Sequence, residues 1–225
     1  MIQSGPLIFP RGIRFPRLDE VPDGAPSDSD ALMAAALIAK ITPGYRLHPV
    51  APGRSFSGYI EANVHAPQLW DVFVALCRAL LPAGAAPLVG QIDEDTILGD
   101  YTTREAAIGV LAPYADALVN DGFLEFGCMF QRTGHTEEIF VPSAKYLRIW
   151  TNQPKIATRT LRAHGIQHVP DVKFIDEFPL LREVQPYRSQ HVGFEAVLEE
   201  LAPKLHQLPP RPELVESGNY QFTVD

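Results

Sequence analysis

Six carboxylates at or just beyond the ends of predicted strands are the residues whose type and spacing invite chemistry. Asp93, Glu94, Asp95 and Asp100 follow one strand, and Asp176 and Glu177 follow another. Sites gather at strand ends in α/β folds. Several carboxylates meeting there hold a hard cation such as Mg²⁺ at about 2.0–2.6 Å, or they grip a basic protein surface. Acids in such places also cap and solubilise loops, and that reading stands beside the other two.

The remaining chemistry-bearing residues form no motif. Of the histidines, only His164 and His168 are close in sequence, and Gly165 between them ends a helix before both share a face. His-Glu-x-x-His and Cys-x-x-Cys are absent, which argues against a zinc site. His65 reads as a solvated side chain on the polar face of a strand. Gly-x-Ser-x-Gly is absent, and Ser55, Ser57 and Ser143 sit in turn-like contexts. Gly84 and Gly99 match no phosphate-loop spacing. Lys155, Arg159 and Arg162 share one side of a helix, the pattern of a solvated face. No cofactor is implied.

The elements that must position these residues follow from periodicity. Residues 1–26 carry five prolines, among them Pro6 and Pro26, and read as an extended arm, with Leu7, Ile8, Phe9, Ile13 and Phe15 available for packing. Ser27, Asp28 and Ser29 are N-cap candidates for a helix to about Lys40. Strands are predicted at Tyr45–Val50 and from Gly58, where Ile60, Ala62 and Val64 alternate with polar residues. Pro67 opens a helix to Leu81 that is apolar nearly all round, residues 82–86 break it, and a strand runs Pro87–Ile92. Thr102 with Glu105 reads as a capping box, and Pro113 as a kink. A hairpin turns at Thr133-Gly134, followed by a strand to Thr151, a helix from Pro154, a strand Val172–Ile175 and a last helix around Phe194–Leu201. Residues 27–206 form one domain, and 207–225 an irregular tail.

Within that domain, residues 58–95 and 145–178 each contain a strand, a proline-opened helix and a strand ending Ile-Asp-Glu. Duplication of a β-α-β unit and coincidence both remain open. The expected fold class is α+β, a mixed or antiparallel sheet with helices mainly on one face.

Composition narrows the function classes. The chain has 225 residues, 46% of them hydrophobic and 20% charged, as globular proteins do. With 27 acidic and 19 basic side chains its formal charge is −8, which disfavours a phosphate backbone and suits a cationic partner. Cys77 and Cys128 read as small buried hydrophobes. The N-terminus lacks a signal peptide's pattern, and no apolar run is long enough to span a bilayer, so a cytoplasmic location away from membranes is expected.

The block Glu138-Ile139-Phe140-Val141-Pro142, then Tyr146-Leu147-Arg148-Ile149-Trp150-Thr151, a helix and Phe174-Ile175-Asp176-Glu177-Phe178-Pro179 resembles the tail of small bacterial immunity proteins. Those proteins are encoded beside polymorphic toxins, which they neutralise by binding. The resemblance covers about a third of the chain, and no functional residue carries over, because such families vary most where they bind. It implies a non-enzymatic protein that binds a protein. Taken with the acidic charge balance, the residues themselves give the expectation that the strand ends Asp93, Glu94, Asp95, Asp100, Asp176 and Glu177 face a basic partner. The alternatives are a metal-dependent hydrolase using the same carboxylates, or a structural subunit; the oligomeric state is left open.

Overall fold

A computed structural model of the chain describes residues 5–20, 29–187 and 191–210. Ser27 and Asp28 lie outside the described residues, as do residues 1–4 and 21–26 of the arm and 211–225 of the tail. In chain order the elements are β1 (Ile13–Arg14), α1 (Ser29–Ile38), β2 (Gly44–His48), β3 (Gly58–Asn63), α2 (Ala66–Leu80), β4 (Gly84–Gln91), β5 (Ile97–Leu98) and β6 (Thr102–Thr103). Then come α3 (Arg104–Leu111), α4 (Ala115–Asn120), β7 (Leu124–Arg132), β8 (His135–Val141), β9 (Leu147–Thr151), α5 (Pro154–Ala163), β10 (Leu181–Arg182), β11 (Pro186–Tyr187), β12 (His191–Val192) and α6 (Phe194–Leu205).

The fold is α+β. Its main sheet runs in the order β2-β3-β9-β8-β7-β4-β5, with β6 also on β4, and every neighbouring pair is antiparallel. Strand parity decides which side is covered. Ile60, Ala62, Val89, Phe126, Cys128, Ile139 and Ile149 are buried in one cluster with Leu69, Phe73 and Leu76 of α2, Leu111 of α3, Leu118 of α4, Leu161 of α5 and Leu201 of α6. The helices therefore pack on one face. Helix α2 buries one stripe, Leu69, Val72, Phe73, Leu76, Cys77 and Leu80, and leaves Gln68, Asp71 and Arg78 exposed, so it is amphipathic and not apolar nearly all round; both cysteines are buried as small hydrophobes.

The two Ile-Asp-Glu segments are not equivalent. In the first, β3, α2 and β4 form a true crossover: four antiparallel steps separate β3 from β4, so the two strands run parallel with β9, β8 and β7 between them. In the second, no strand forms at Val172–Ile175. Ile175–Glu177 is a single 3-10 turn, because Val172, Phe174 and Ile175 are drawn into a small cluster with Ile13, Ile41, Ala144 and Tyr146. The backbone there closes on itself, the Glu177 and Phe178 amides donating to the Phe174 and Ile175 carbonyls, so these groups serve a turn and not a ladder. Two smaller corrections belong here. β4 begins at Gly84, so 84–86 are strand and not a break. Thr103, not Thr102, caps α3: its hydroxyl accepts from the Ala106 amide, while Thr102 lies in β6 and donates to the Pro209 carbonyl.

The described part of the arm is tied down. Leu7 donates to the Ile41 carbonyl, Ala66 to that of Ile8, Gly12 to that of Asn120, and Glu183 to that of Gly12. Phe9, Phe15 and Phe178 meet edge to face. The Pro113 kink appears as a 3-10 turn, Ala112–Tyr114, between α3 and α4.

Candidate functional site

The face of the sheet opposite the helices carries a polar and aromatic surface built by period-2 alternation. Arg46 and His48 on β2 stand opposite Glu61 and Tyr59 on β3. Across β3, Glu61 and Tyr59 stand opposite Arg148 and Trp150 on β9. Trp150 in turn faces Glu138 on β8, and Glu138 faces Met129 on β7.

Glu61 is the centre of one network. Its side chain is 8% exposed, and its Oε2 lies 2.7 Å from Arg46 Nη2 and 2.7 Å from His48 Nε2. The Tyr59 hydroxyl donates to Oε1 at 2.9 Å. Burial acts to raise the Glu61 carboxyl, but hydrogen bonds from Arg46, Tyr59 and His48 outweigh it and hold the group below the usual carboxylate range. Burial and the adjacent carboxylate push the Tyr59 phenol up. Asn63, also buried, donates to the carbonyls of Thr42 and Lys173.

A second network joins Arg148, Tyr146 and Asp176. Arg148 donates to the Tyr146 hydroxyl, which donates to Asp176 Oδ2 at 3.0 Å, and Arg148 lies 3.8 Å from the same carboxylate. Arg46 stacks over Phe174 at 4.6 Å and reaches Glu177 at 3.5 Å, and Lys173 lies 3.1 Å from Glu177. His48, Tyr59 and Trp150 form a stacked row, with ring centroids 4.9 Å and 5.1 Å apart.

The six carboxylates divide into two groups. Asp93, Glu94 and Asp95 form the exposed turn between β4 and β5, where Asp93 takes φ 66°, and they make no side-chain hydrogen bond or ion pair among the described residues. Asp100 follows β5 and lies 3.3 Å from His206. Asp176 and Glu177 are engaged with Arg148, Arg46 and Lys173 beside β9 and β2. Both groups are at the same end of the sheet, but β7 and β8 stand between β4 and β9, a separation of roughly 14 Å at the usual strand spacing. Among the described residues no three His, Cys, Asp or Glu side chains come together as a metal site would require.

Sequence reasoning passed over Arg46, Glu61, Tyr59, Arg148 and Glu138. The signal that could have found them is the period-2 alternation, which on β3 marks one buried face and sends Tyr59 and Glu61 to the other. His65 likewise departs from expectation. It is 6% exposed, and its Nδ1 accepts from the Ile8 amide, because the arm covers it. Of the basic set on α5, Arg162 donates to the Tyr45 hydroxyl and is not simply solvated. An apolar cleft of about 360 Å³ is lined by Leu7, Phe9, Phe15, Ala39, Lys40, Ile41 and Thr42, with no carboxylate or histidine among its lining residues.

Among the described residues no helix is long and apolar enough to cross a membrane. Comparison of the chain with protein-family models, curated proteins and solved structures found no match to any of them.

Proposed function

We propose that this chain is a non-enzymatic binding protein that engages a basic protein partner, in the manner of an immunity protein occupying its toxin. The observation that carries the reading is the one-sided sheet. Five helices bury one face, while the other presents Tyr59, Trp150, Phe140 and Met129, all half-buried, among charged side chains. A mixed aromatic and charged surface of this kind is what protein interfaces use.

The sign of the partner follows from the charges left over. Asp176 and Glu177 are paired with Arg148 and Lys173, whereas Asp93, Glu94 and Asp95, exposed at the end of β4, have no ion pair among the described residues. With a formal charge of −8, that turn favours encounter with a positive surface. A hydrolase using the six carboxylates lacks support, since they occupy two places.

The test is co-purification with the product of the adjoining reading frame, using the wild type and a D93K/E94K/D95K variant. Wild type should retain the partner at 0.15 M salt, and the variant should lose it. Absence of any complex with the wild type would sink the reading, and equal capture by the variant would remove the acidic turn from it.

A further inference from the structure

Glu138 is out of place chemically. It stands near the middle of the open face, opposite Met129 on one side and Trp150 on the other, with Phe140 and Thr136 two positions along its own strand. Among the described residues its carboxyl has neither a hydrogen bond nor an ion pair. The diagonal neighbours are Gly127 and Gln131 on β7 and Arg148 and Asn152 at β9. Arg148 is the one charged group among them, and its guanidinium is turned the other way, onto Tyr146 and Asp176. Asn152 donates to the carbonyls of Ser55 and Thr136. Every other acid on this face that is comparably enclosed has a cation or a donor; Glu61 has three.

A half-buried carboxylate without a partner is costly, and such groups are ordinarily paired. Burial alone raises the Glu138 carboxyl to about 7. Beside it lies the indole of Trp150, one face of which is stacked on Tyr59. The other face is on the β8 side, where Glu138 stands. A carboxylate next to an indole face that has no ring or cation partner among the described residues matches a planar cation, which stacks on the ring and donates two hydrogen bonds to the acid. Guanidinium fits this better than ammonium, being flat, forked and less strongly hydrated.

We infer that Glu138 and Trp150 form the receptor for an arginine side chain of the partner protein. This rests on the protein-binding reading above and names the chemistry of its central contact. The arginine supplies the counter-charge that none of the described residues gives Glu138, and placement at the centre of the face is where anchoring side chains concentrate in interfaces.

The test uses three capped peptides as probes, acetyl-Gly-Arg-Gly-amide and its lysine and glutamine analogues. The indole N–H resonances of Trp150 and Trp70 are followed by NMR at pH 8, with Trp150→Phe used for assignment. The arginine peptide should shift the Trp150 signal saturably and leave Trp70 unmoved. Binding should weaken about tenfold or more in Glu138→Gln and, for wild type, at pH 5.5, where the carboxyl is protonated. The lysine peptide should bind more weakly and the glutamine peptide not at all. A wild type that gives no saturable shift overturns the inference, as does an equal response in Glu138→Gln or an equal response to lysine. Dispersed amide signals in Glu138→Gln establish that the variant is folded. If the adjoining protein is captured equally by wild type and Glu138→Gln, this inference falls and the binding reading stands. If the peptide response is as described but no protein is captured, the reading falls and the arginine site stands alone.

Discussion

Arg46 and Glu61 face each other across β2 and β3, with Nη2 2.7 Å from Oε2, and the carboxylate end of the pair is almost wholly enclosed. The pair shows how the open face is organised. A charge that alternation sends away from the helices is still withdrawn from water, and only a dense set of donors makes that tolerable.

Glu61→Gln should therefore destabilise the fold by about 1–3 kcal/mol, since Arg46 and His48 lose their charged acceptor while Arg46 keeps Glu177. The folded-state carboxyl sits below its unfolded value, so its contribution is present above about pH 5 and is lost as pH falls through the folded value. Urea midpoints at pH 7 and pH 3 check this. The difference between wild type and variant should shrink on acidification.

Glu138 behaves in the opposite sense. Its folded carboxyl is raised to about 7, so between roughly pH 4.5 and 7 the folded chain retains a proton that the unfolded chain has released, and stability falls as pH rises. Glu138→Gln should gain on the order of 2 kcal/mol at pH 8 and nothing at pH 4. Chemical denaturation at those two values decides the point, and a variant less stable at pH 8 would contradict it.

Lys145 is enclosed in the helix-side core, where its ammonium donates to the carbonyls of Leu118 and Leu124 and lies 6.0 Å from the Phe126 ring centroid. Burial lowers it to about 7, against the pull of Asp121 and Glu125. Below pH 7 the folded state must hold a buried charge. Stability then rises with pH from 7 towards the unfolded lysine value near 10.4. Lys145→Met should abolish that rise while costing about 1–3 kcal/mol for two unsatisfied carbonyls. Thermal unfolding at pH 7 and 9 measures both effects.

Gly12 passes between two backbone segments, giving its amide to Asn120 and accepting from Glu183. A Cβ there would collide with the Asn120 and Glu183 carbonyls and the Gly122 amide, none of which is a flexible side-chain end. Gly12→Val should detach the arm and cost about 2–3 kcal/mol. Trypsin cleavage at Arg11 and Arg14 would accelerate, and unchanged cleavage would show that the arm accommodates the side chain.

Much of the architecture was legible because it is local. Apolar alternation in Gly58–Asn63 made a strand, the Thr133-Gly134 turn made a hairpin with Gly134 at φ 72°, and Pro154 opened α5 and Gly165 followed it. What failed was long-range. The segment around Ile175 has strand-like composition, yet its neighbours in space are Ile13, Ile41 and Tyr146, so burial overrode β-propensity. The twin Ile-Asp-Glu endings thus inform only the first crossover.

By itself, the sequence determined the α+β class, most helices and strands, the burial of Cys77 and Cys128, and an excess of eight negative charges. These depend on periodicity of 2 or 3.6 and on counting. Only the tertiary structure decided which polar side chains meet. Arg46 and Glu177 are 131 residues apart, Tyr146 and Asp176 are 30 apart, and Asp93 is kept from Asp176 by two intervening strands. Strand order fixes these distances, and strand order is set by long-range pairing and core packing, which no local pattern encodes.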